Sequence, residues 1–274
     1  MIRENQTVSI SILSGKGGVG KTNLALNLSY ALYNMGRSLM IMDCDLGLAN
    51  LDVLLGVSPD LNLQDLLRAE INAKNVLYPI EPRGFDFLPA ASGVPELVEM
   101  DEDIRAHLLQ KLNSMFRNYN YLMLDLGAGI SSTVLSFAAM TRKRIIVLTP
   151  EPTSLTDSYA LIKVLATKHD IRDFLLVVNQ VSSQEELKQT TTRITNACEK
   201  FLDIRPVLLG HIRHDPMVTQ SVRRQVPLLK FAPRCKASLD IIELARKIDA
   251  LRQQMLPQIV AEHVLNLNFD FPED

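Results

Sequence analysis

The segment Ser14-Gly15-Lys16-Gly17-Gly18-Val19-Gly20-Lys21-Thr22 decides the fold. It matches the pattern G-x-x-x-x-G-K-[ST], a loop that cradles phosphates between a strand and a helix. The preceding run Val8–Leu13 is mostly apolar and partly β-branched, which is typical of a buried strand. The following residues 23–35 repeat apolar side chains at helical spacing. The order of strand, glycine loop and helix therefore predicts a nucleotide-binding unit.

Each part of this loop has a physical role in holding phosphate. Glycines allow successive backbone N–H groups to point into one anion-sized nest, and a helix that begins near Gly20 adds the positive end of its dipole. Lys21 is expected to contact the β- and γ-phosphates, and the hydroxyl of Thr22 is expected to bind Mg²⁺. A glycine-rich turn without a ligand is the alternative. The expected nucleotide-binding residues of the loop are Gly15, Lys16, Gly17, Gly18, Val19, Gly20, Lys21, Thr22 and Asn23.

Length and composition are those of an ordinary soluble protein. The chain has 274 residues, of which 47% are hydrophobic and 22% charged. A formal net charge of −2 gives no electrostatic argument for nucleic-acid binding. The three cysteines include no C-x-x-C pair, which argues against a disulfide framework, a zinc site or an iron–sulfur carrier. With no signal peptide and no apolar span of membrane length visible, we expect a cytoplasmic protein.

Short apolar runs alternate with amphipathic helical patterns, which predicts an α/β fold with a mostly parallel twisted sheet and helices on both faces. The predicted strands are Val8–Leu13, Ser38–Met42, Phe85–Leu88, Tyr121–Leu124, Ile145–Leu148, Phe174–Val178 and Val207–Ile212. The predicted helices are Lys21–Met35, Asp101–Phe116, Ser131–Ala139, Ser154–Thr167, Gln184–Phe201 and Lys236–Met255. We expect a single domain over residues 1–255 and an amphipathic, acidic tail over residues 256–274.

Polar residues follow several predicted strands, at the edge where an open parallel sheet binds its ligands. Asp43 and Asp45 lie two residues apart just past the second strand, so both carboxylates can face the phosphates; capping of the segment Asn50–Leu55 is the alternative. The apolar run before Asp125 resembles a Walker B strand, whose aspartate holds Mg²⁺ through water. Asn179 ends another strand, and its amide can pair with adenine through a donor and an acceptor.

Lys16, just after the first glycine, makes the loop similar to the deviant Walker A motif of the MinD/ParA family of ATPases. The resemblance implies that Lys16 crosses a dimer interface and contacts the nucleotide of the partner subunit, whereas a solvated surface lysine is the alternative. It also implies that Asp45 lies in switch I and positions the attacking water, with Asp43 in a supporting role or near Mg²⁺. The catalytic residues would be Lys16, Lys21 and Asp45, and the magnesium residues Thr22, Asp45 and Asp125, the last through water.

Further positions match the family with some departures. Gly127, Ala128 and Gly129 resemble switch II, whose glycine N–H senses the γ-phosphate. Relatives carry a small or hydroxyl residue where this chain has Leu126, and we hypothesise that this change slows hydrolysis. The family places an asparagine at the position of Asn179, and a loop with an acid, here Asp215, that closes over the base. Arg213 replaces the usual proline of that loop, and Asp215 could equally be the N-cap of a helix over Pro216–Arg223.

A narrower resemblance points to the flagellar-number regulators FlhG and FleN. It rests on Asn23 and on the segments Leu46–Gly56, Pro89–Gly93 and Glu151–Ser154, the last of which would lie near the dimer interface. The resemblance implies an ATP-dependent homodimer that binds ATP or ADP with Mg²⁺ and hydrolyses ATP slowly. The implied partners are the signal-recognition-type GTPase FlhF, a flagellar transcription activator and switch-ring proteins.

Other functions remain open at this point. A division-site or DNA-partition ATPase of the MinD/ParA type would use the same loop, with the basic clusters Arg142–Arg144 and Arg223–Arg224 as contacts for DNA. A ligase similar to dethiobiotin synthetase would need a second substrate pocket. If Leu126 prevents hydrolysis, the protein could instead be a nucleotide-binding scaffold that hardly hydrolyses ATP.

An apolar stripe at helical spacing marks the C-terminal segment: Leu256, Ile259, Val260, His263, Val264 and Leu267. Relatives often use such a helix to bind membrane. Residues 256–274 contain four acids and no lysine or arginine, whereas membrane-surface helices are usually basic. We therefore expect the stripe to pack against the protein itself or a partner, with a peripheral membrane role at the inner face or cell pole left open.

Overall fold

The computed structural model describes residues 6–45, 50–68, 71–89, 102–257, 259 and 264–266. Its strands are β1 (Val8–Ser14), β2 (Leu39–Cys44), β3 (Tyr78–Glu81), β4 (Phe85–Leu88), β5 (Tyr121–Ala128), β6 (Lys143–Leu148), β7 (Leu175–Val181) and β8 (Val207–Arg213). Its α-helices are α1 (Lys21–Asn34), α2 (Leu51–Leu55), α3 (Glu102–Phe116), α4 (Ser132–Met140), α5 (Pro152–His169), α6 (Gln184–Leu202), α7 (Pro216–Arg223), α8 (Leu228–Phe231) and α9 (Lys236–Met255). Two 3₁₀ turns lie at Leu63–Leu67 and Ala73–Val76.

In the described part of the chain, the strands form one sheet in the order β3-β4-β2-β5-β1-β6-β7-β8. Every neighbouring pair is parallel except the edge pair β3 and β4, which is antiparallel. The phosphate loop follows the central strand β1. The carboxyl ends of its two neighbours, β5 and β6, therefore lie on either side of the loop.

The period-two alternation of side chains divides the core into two layers. Leu122, Leu124 and Leu126 of β5 pack into one layer, which helices α3–α6 cover. Tyr121 and Met123 point to the opposite layer, which is covered by α1, α8 and α9. Both faces of the sheet are thus buried, and the nucleotide edge remains open.

The predicted fold class is confirmed. The predicted helices agree with the structure to within two residues at each end, apart from Asp101, which lies outside the described residues. The sequence analysis missed β3, α2 and α8, which are short. It also ended β5 four residues too early, because pairing with β2 continues to Leu126 opposite Cys44 and Ala128 pairs with Ser14 of β1.

One residue of the C-terminal stripe, Val264, is buried in the body of the protein together with its neighbour Leu265. Val264 and Leu265 join the layer covered by α3–α6. The hydroxyl of Ser9 donates to the carbonyl of Val264 at 2.7 Å, and the N–H of Leu265 donates to the side-chain oxygen of Asn113 at 3.0 Å. These contacts attach residues 264–266 near the amino end of β1.

Of the other stripe residues, Ile259 packs partly buried against the layer covered by α1, α8 and α9. Val260, His263 and Leu267 lie outside the described residues. The same holds for Leu46–Ala49 and Ala90–Gly93 of the flagellar-type segments. Within the described ranges, no helix is long and apolar enough to cross a membrane.

Candidate functional site

The glycine loop takes its shape from two close approaches. Gly20 has φ +89°, a left-handed conformation, and a side chain added there would lie 2.5 Å from the amide nitrogen of Asn179. At Gly15 an added Cβ would lie 2.2 Å from the carbonyl carbon of Asp157, so the loop is pressed against the backbone of α5. Only glycine fits either position without displacing backbone or the Asn179 amide. The loop is therefore held between the amino end of α5 and the end of β7.

The base of the loop holds a buried ion pair. The ammonium of Lys21 lies 3.0 Å from Oδ1 of Asp125, and both side chains are almost fully buried. Burial raises the pKa of the Asp125 carboxyl, while the charge of Lys21 and a hydrogen bond with Thr22 oppose the increase. Oδ2 of Asp125 is buried and accepts no hydrogen bond from any described residue.

This donor set suits a hard cation. Mg²⁺ prefers carboxylate and hydroxyl oxygens, and the Asp125 carboxylate with the Thr22 hydroxyl that hydrogen-bonds to it supplies both. The first turn of α1, Lys21–Leu24, contains no acidic residue, so its N–H groups remain suited to phosphate. Thr22 and Asp125 therefore lie where the sequence analysis placed them, and their chemistry fits Mg²⁺ bound to a nucleotide.

The two aspartates after β2 have different environments. Oδ1 of Asp43 accepts from the N–H of Asp45 at 2.9 Å, and Oδ2 accepts from the N–H groups of Asn50 and Leu51 at 3.1 and 3.2 Å. Burial and the charge of Asp125 raise the pKa of Asp43 to about 6, although these hydrogen bonds act to lower it. Asp43 thus accepts backbone hydrogen bonds from Asp45 and from the residues that begin α2, as in the capping alternative.

Asp45, by contrast, faces the phosphate edge. Its Oδ1 lies 3.5 Å from the position of a Cβ added at Gly127, and its charge contributes to the raised pKa of Asp125. The structure therefore brings Asp45, Asp125 and Gly127 together, as the sequence analysis expected.

The residues predicted to form switch II lie partly on β5 rather than in a loop. Gly127 and Ala128 end the strand, and Gly129 follows with its N–H donating to the carbonyl of Ser14. Leu126 is fully buried, on the opposite face of the sheet from Asp125. Its side chain therefore points into the core and away from Lys21, so its lack of a polar atom has no direct bearing on the site.

Lys16 points away from its own phosphate loop. Its ammonium lies 2.5 Å from Oε2 of Glu151 and 3.0 Å from the hydroxyl of Thr153, at the amino end of α5. Lys16 is thus a partly exposed lysine whose ammonium pairs within its own subunit. Neither Glu151 nor Thr153 was identified as a partner of Lys16 from the sequence.

A pocket beside the loop joins the predicted base-binding residues. Gly20, Asn23, Asn179 and Asp215 share its lining, together with residues the sequence analysis missed: Leu24, Gln180, Val218, Thr219 and Ile241. The amide of Asn179 donates to the carbonyl of Val19 at 2.7 Å, and its oxygen accepts from the N–H of Gln180 at 2.9 Å. Because an asparagine amide has two donors and two lone pairs, one of each remains for a base.

Asp215 serves mainly as a helix cap. Its Oδ1 accepts from the N–H of Met217 at 2.9 Å, and its Oδ2 from the N–H of Ala237 at 3.4 Å. Burial would raise the pKa of Asp215, but these backbone hydrogen bonds lower it overall. The guanidinium of Arg213, two residues earlier, pairs with Asp240 of α9 at 2.7 Å. The carboxylate predicted to contact the base is therefore engaged with α7 and α9, although Asp215 still forms part of the pocket wall.

Comparison with known proteins agrees with this geometry. The family model of ParA, described as the NUBPL iron-transfer P-loop NTPase, matches residues 5–249. The chain belongs to the ParA family of P-loop NTPases. ParA-family proteins are ATPases, and so is this member.

Two relatives and one solved structure narrow the resemblance within the ParA family. The antiactivator FleN of Pseudomonas aeruginosa is 38% identical over 241 residues, which cover 88% of this chain and 86% of FleN. The flagellum site-determining protein YlxH of Helicobacter pylori is 32% identical over 243 residues, which cover 88% of this chain and 82% of YlxH. The septum site-determining protein MinD of Pyrococcus horikoshii, solved with Mg-ADP, has a TM-score of 0.69 at 27% identity and covers 89% of this chain and 97% of MinD. The predicted resemblance to MinD/ParA ATPases of the FlhG/FleN type is confirmed.

Proposed function

We propose that this ATPase is an ATP-driven dimerising switch that regulates the number or placement of flagella through partner proteins. The observation that carries the proposal is the buried pair of Lys21 and Asp125 under the glycine loop. A charged pair at this depth is costly to desolvate, and buried charges of this kind are concentrated at functional sites. Among the described residues, none donates a hydrogen bond to Oδ2 of Asp125, so this atom can accept one from a bound ligand or its water.

The nucleotide site follows from these residues. The backbone of Gly15–Gly20 and the amino end of α1 would hold the phosphates, and Lys21 would exchange Asp125 for phosphate oxygens. Thr22 would bind Mg²⁺ directly and Asp125 through water. The base would lie in the pocket beside Asn179. Bound ATP supplies the phosphoanhydride bond that is cleaved, and bound Mg²⁺ offsets the charge of its phosphates.

Hydrolysis would depend on Asp45 and on two subunits. Asp45 lies beside Gly127, where its carboxylate can hold the attacking water, and the N–H of Gly127 can respond to the γ-phosphate. Lys16 would supply positive charge to the phosphates of the partner subunit. Since only the ATP state would make these contacts, ATP would favour the dimer and hydrolysis would return the monomer.

The flagellar role rests on the names of FleN and YlxH, an antiactivator and a flagellum site-determining protein. By this likeness, the ATP dimer would bind a transcription activator, and the GTPase FlhF and switch-ring proteins are further candidate partners. The protein would act in the cytoplasm, and it could also bind peripherally to the inner face of the membrane at the cell pole.

The DNA-partition alternative loses one of its two basic clusters. Within Arg142–Arg144, the guanidinium of Arg144 donates to carbonyls at the end of α4, and Lys143 pairs with Asp173 at 2.5 Å. Arg144 is therefore engaged within the fold, and the charge of Lys143 is paired at the surface.

The test combines a measurement of ATP turnover in vitro with a count of flagella per cell. Purified protein should release phosphate from ATP with Mg²⁺ alone, and Lys21→Ala and Asp45→Ala should each abolish release. In cells lacking the gene, the wild type and the exposed-lysine control Lys188→Ala should restore the normal number of flagella, whereas Lys16→Ala should not. A requirement for a second small substrate would support the ligase instead. Restoration by Lys16→Ala would exclude the dimer switch.

A further inference from the structure

The side chain of Asn27, in the second turn of α1, is held in one orientation by two backbone groups. Its Nδ2 donates to the carbonyl of Asn23 at 2.8 Å, and its Oδ1 accepts from the N–H of Leu229 in α8 at 3.1 Å. A carbonyl can only accept and an N–H can only donate, so exchanging the two ends of the Asn27 amide would lose both hydrogen bonds. The NH₂ group of Asn27 therefore faces Asn23.

This orientation also fixes the side-chain amide of Asn23. Nδ2 of Asn27 lies 3.3 Å from Oδ1 of Asn23, and a donor at that place requires an acceptor opposite it. Asn23 therefore turns its side-chain oxygen toward Asn27 and its NH₂ group away. Within the described ranges of the chain, no residue accepts a hydrogen bond from this NH₂ group. Its two N–H donors are available to a ligand.

Asn23 lies where the nucleotide presents acceptors. It follows Thr22 directly and lines the pocket that also contains Asn179. In the proposed function, the β- and γ-phosphates lie at Lys21 and the base lies beside Asn179. The α-phosphate and the ribose connect these two parts and carry oxygen acceptors. A donor on Asn23 would bind them, whereas its side-chain oxygen would repel the phosphate.

We infer that Asn27 is a positioning residue for the nucleotide: it holds the Asn23 amide so that the NH₂ group, and not the oxygen, faces the α-phosphate and ribose. The inference rests on the proposed function, which places the nucleotide along the start of α1. Asn27 is fully buried and does not line the pocket. Its effect on the nucleotide therefore passes through Asn23.

The competing explanation is that Asn27 only joins α1 to α8, and Asn113 of α3 is a matched control for that role. Asn113 is also buried, and its Nδ2 donates to the carbonyl of Leu109, four residues earlier, at 3.1 Å. Its Oδ1 accepts from the N–H of Leu265 at 3.0 Å. Asn113 thus makes the same two backbone contacts on a helix that contributes no residue to the pocket.

Titration of the full chain with fluorescent ADP and Mg²⁺ measures the dissociation constant of each variant. Asn27→Ala leaves the Asn23 amide free to turn, so binding must immobilise it, and ADP binding should weaken about 2- to 13-fold. Asn113→Ala should lower the urea midpoint in the same way as Asn27→Ala but leave the dissociation constant for ADP unchanged. In steady-state ATP turnover, Asn27→Ala should raise KM and keep kcat within about twofold, because the amide acts on binding and not on the attacking water.

A double-mutant cycle with Asn23→Ala decides between the two roles. Asn23→Ala by itself should weaken ADP binding about 12-fold or more, the effect of losing a hydrogen bond to a charged group. If Asn27 acts through Asn23, adding Asn27→Ala to this variant should change the dissociation constant by less than about twofold. A loss of the same size in both backgrounds, or no loss in either, would overturn the inference.

The wild type separates this outcome from a failure of the proposed function. A wild type that binds no ADP would refute the nucleotide site and the inference with it, whereas normal wild-type binding with an additive cycle would overturn only the role of Asn27. If Asn27→Ala does not fold, Asn27→Ser replaces it. A serine hydroxyl can donate to the carbonyl four residues earlier, as that of Ser29 does to Ala25 at 2.8 Å, but it lacks the amide that orients Asn23.

Discussion

Replacing Leu126 with alanine should destabilise the protein without changing its catalysis. Leu126 is fully buried on the face of β5 that packs against α3–α6, and Asp125 points to the opposite face. Removing a buried leucine side chain loses its transfer free energy and leaves a cavity, a total of about 3 kcal/mol. For a domain of this size, a loss of about 3 kcal/mol lowers the melting temperature by about 6–12 °C.

The assay pairs urea unfolding with steady-state ATP turnover at 20–25 °C, where the variant remains folded. Turnover per folded molecule should stay within about twofold of the wild type, because the side chain lies away from the phosphates. Leu126→Thr should not accelerate hydrolysis either, since its hydroxyl would be buried in the apolar core. Leu124→Ala is a matched control: it lies on the same strand and face and is also fully buried, so the same two results are expected.

A tenfold change in turnover for Leu126→Ala, with turnover in Leu124→Ala unchanged, would refute this reasoning. It would mean that the residue after the Walker B aspartate acts on the nucleotide despite its orientation. The hypothesis that leucine at this position slows hydrolysis would then be restored.

Three further predictions follow from single contacts and from linkage. Gly20→Ala should weaken nucleotide binding at least tenfold and lower the free energy of unfolding by about 1–3 kcal/mol, because φ is +89° and the Asn179 amide nitrogen is 2.5 Å from the added Cβ. Titration with a fluorescent nucleotide measures the first effect and urea unfolding the second. Burial pushes the pKa of Asp249 upward, but hydrogen bonds from Arg37 and Tyr121 outweigh it and lower the pKa. A carboxyl whose pKa is lower in the folded than in the unfolded protein stabilises the fold at pH values above its unfolded pKa, about 3.9. This stability is lost as the pH falls through the folded pKa, so the free energy of unfolding of Asp249→Asn should decline less steeply at acid pH. Mg-ADP at about 100 times its dissociation constant should add about 2.7 kcal/mol to the free energy of unfolding, and excess chelator should remove part of this gain.

The fold and the position of the phosphate loop could be predicted because neighbouring stretches of the sequence gave consistent indications. Gly15–Thr22 combined a specific motif with a strand before it and a helix after it, and the structure has β1 and α1 on either side of this loop. The direct pair of Lys21 with Asp125 was not predicted. The apolar run Tyr121–Leu124 was an equally clear strand signal. Its continuation to Ala128 was not, because pairing with β2 as far as Leu126 and with Ser14 of β1 at Ala128 extends the strand.

Contacts between segments that are distant in the chain could not be predicted from the sequence. Nothing in the P-loop indicates that Lys16 meets Glu151, since 135 positions separate them and the approach of Gly15 to α5 brings them together. The function of a carboxylate was similarly ambiguous. Asp43 and Asp215 occur in motifs that permit either a ligand role or a cap, and only the backbone N–H groups around them decided for capping.

The most direct test of the ATP-driven dimer is the solution mass of the protein with ADP and with ATP, for the wild type, Lys16→Ala and Asp45→Ala. The account predicts a monomer with ADP and a dimer with ATP for the wild type. Asp45→Ala should prolong the dimer because hydrolysis is blocked, and Lys16→Ala should remain monomeric although it binds ATP. A wild type that stays monomeric while saturated with ATP would contradict the central claim.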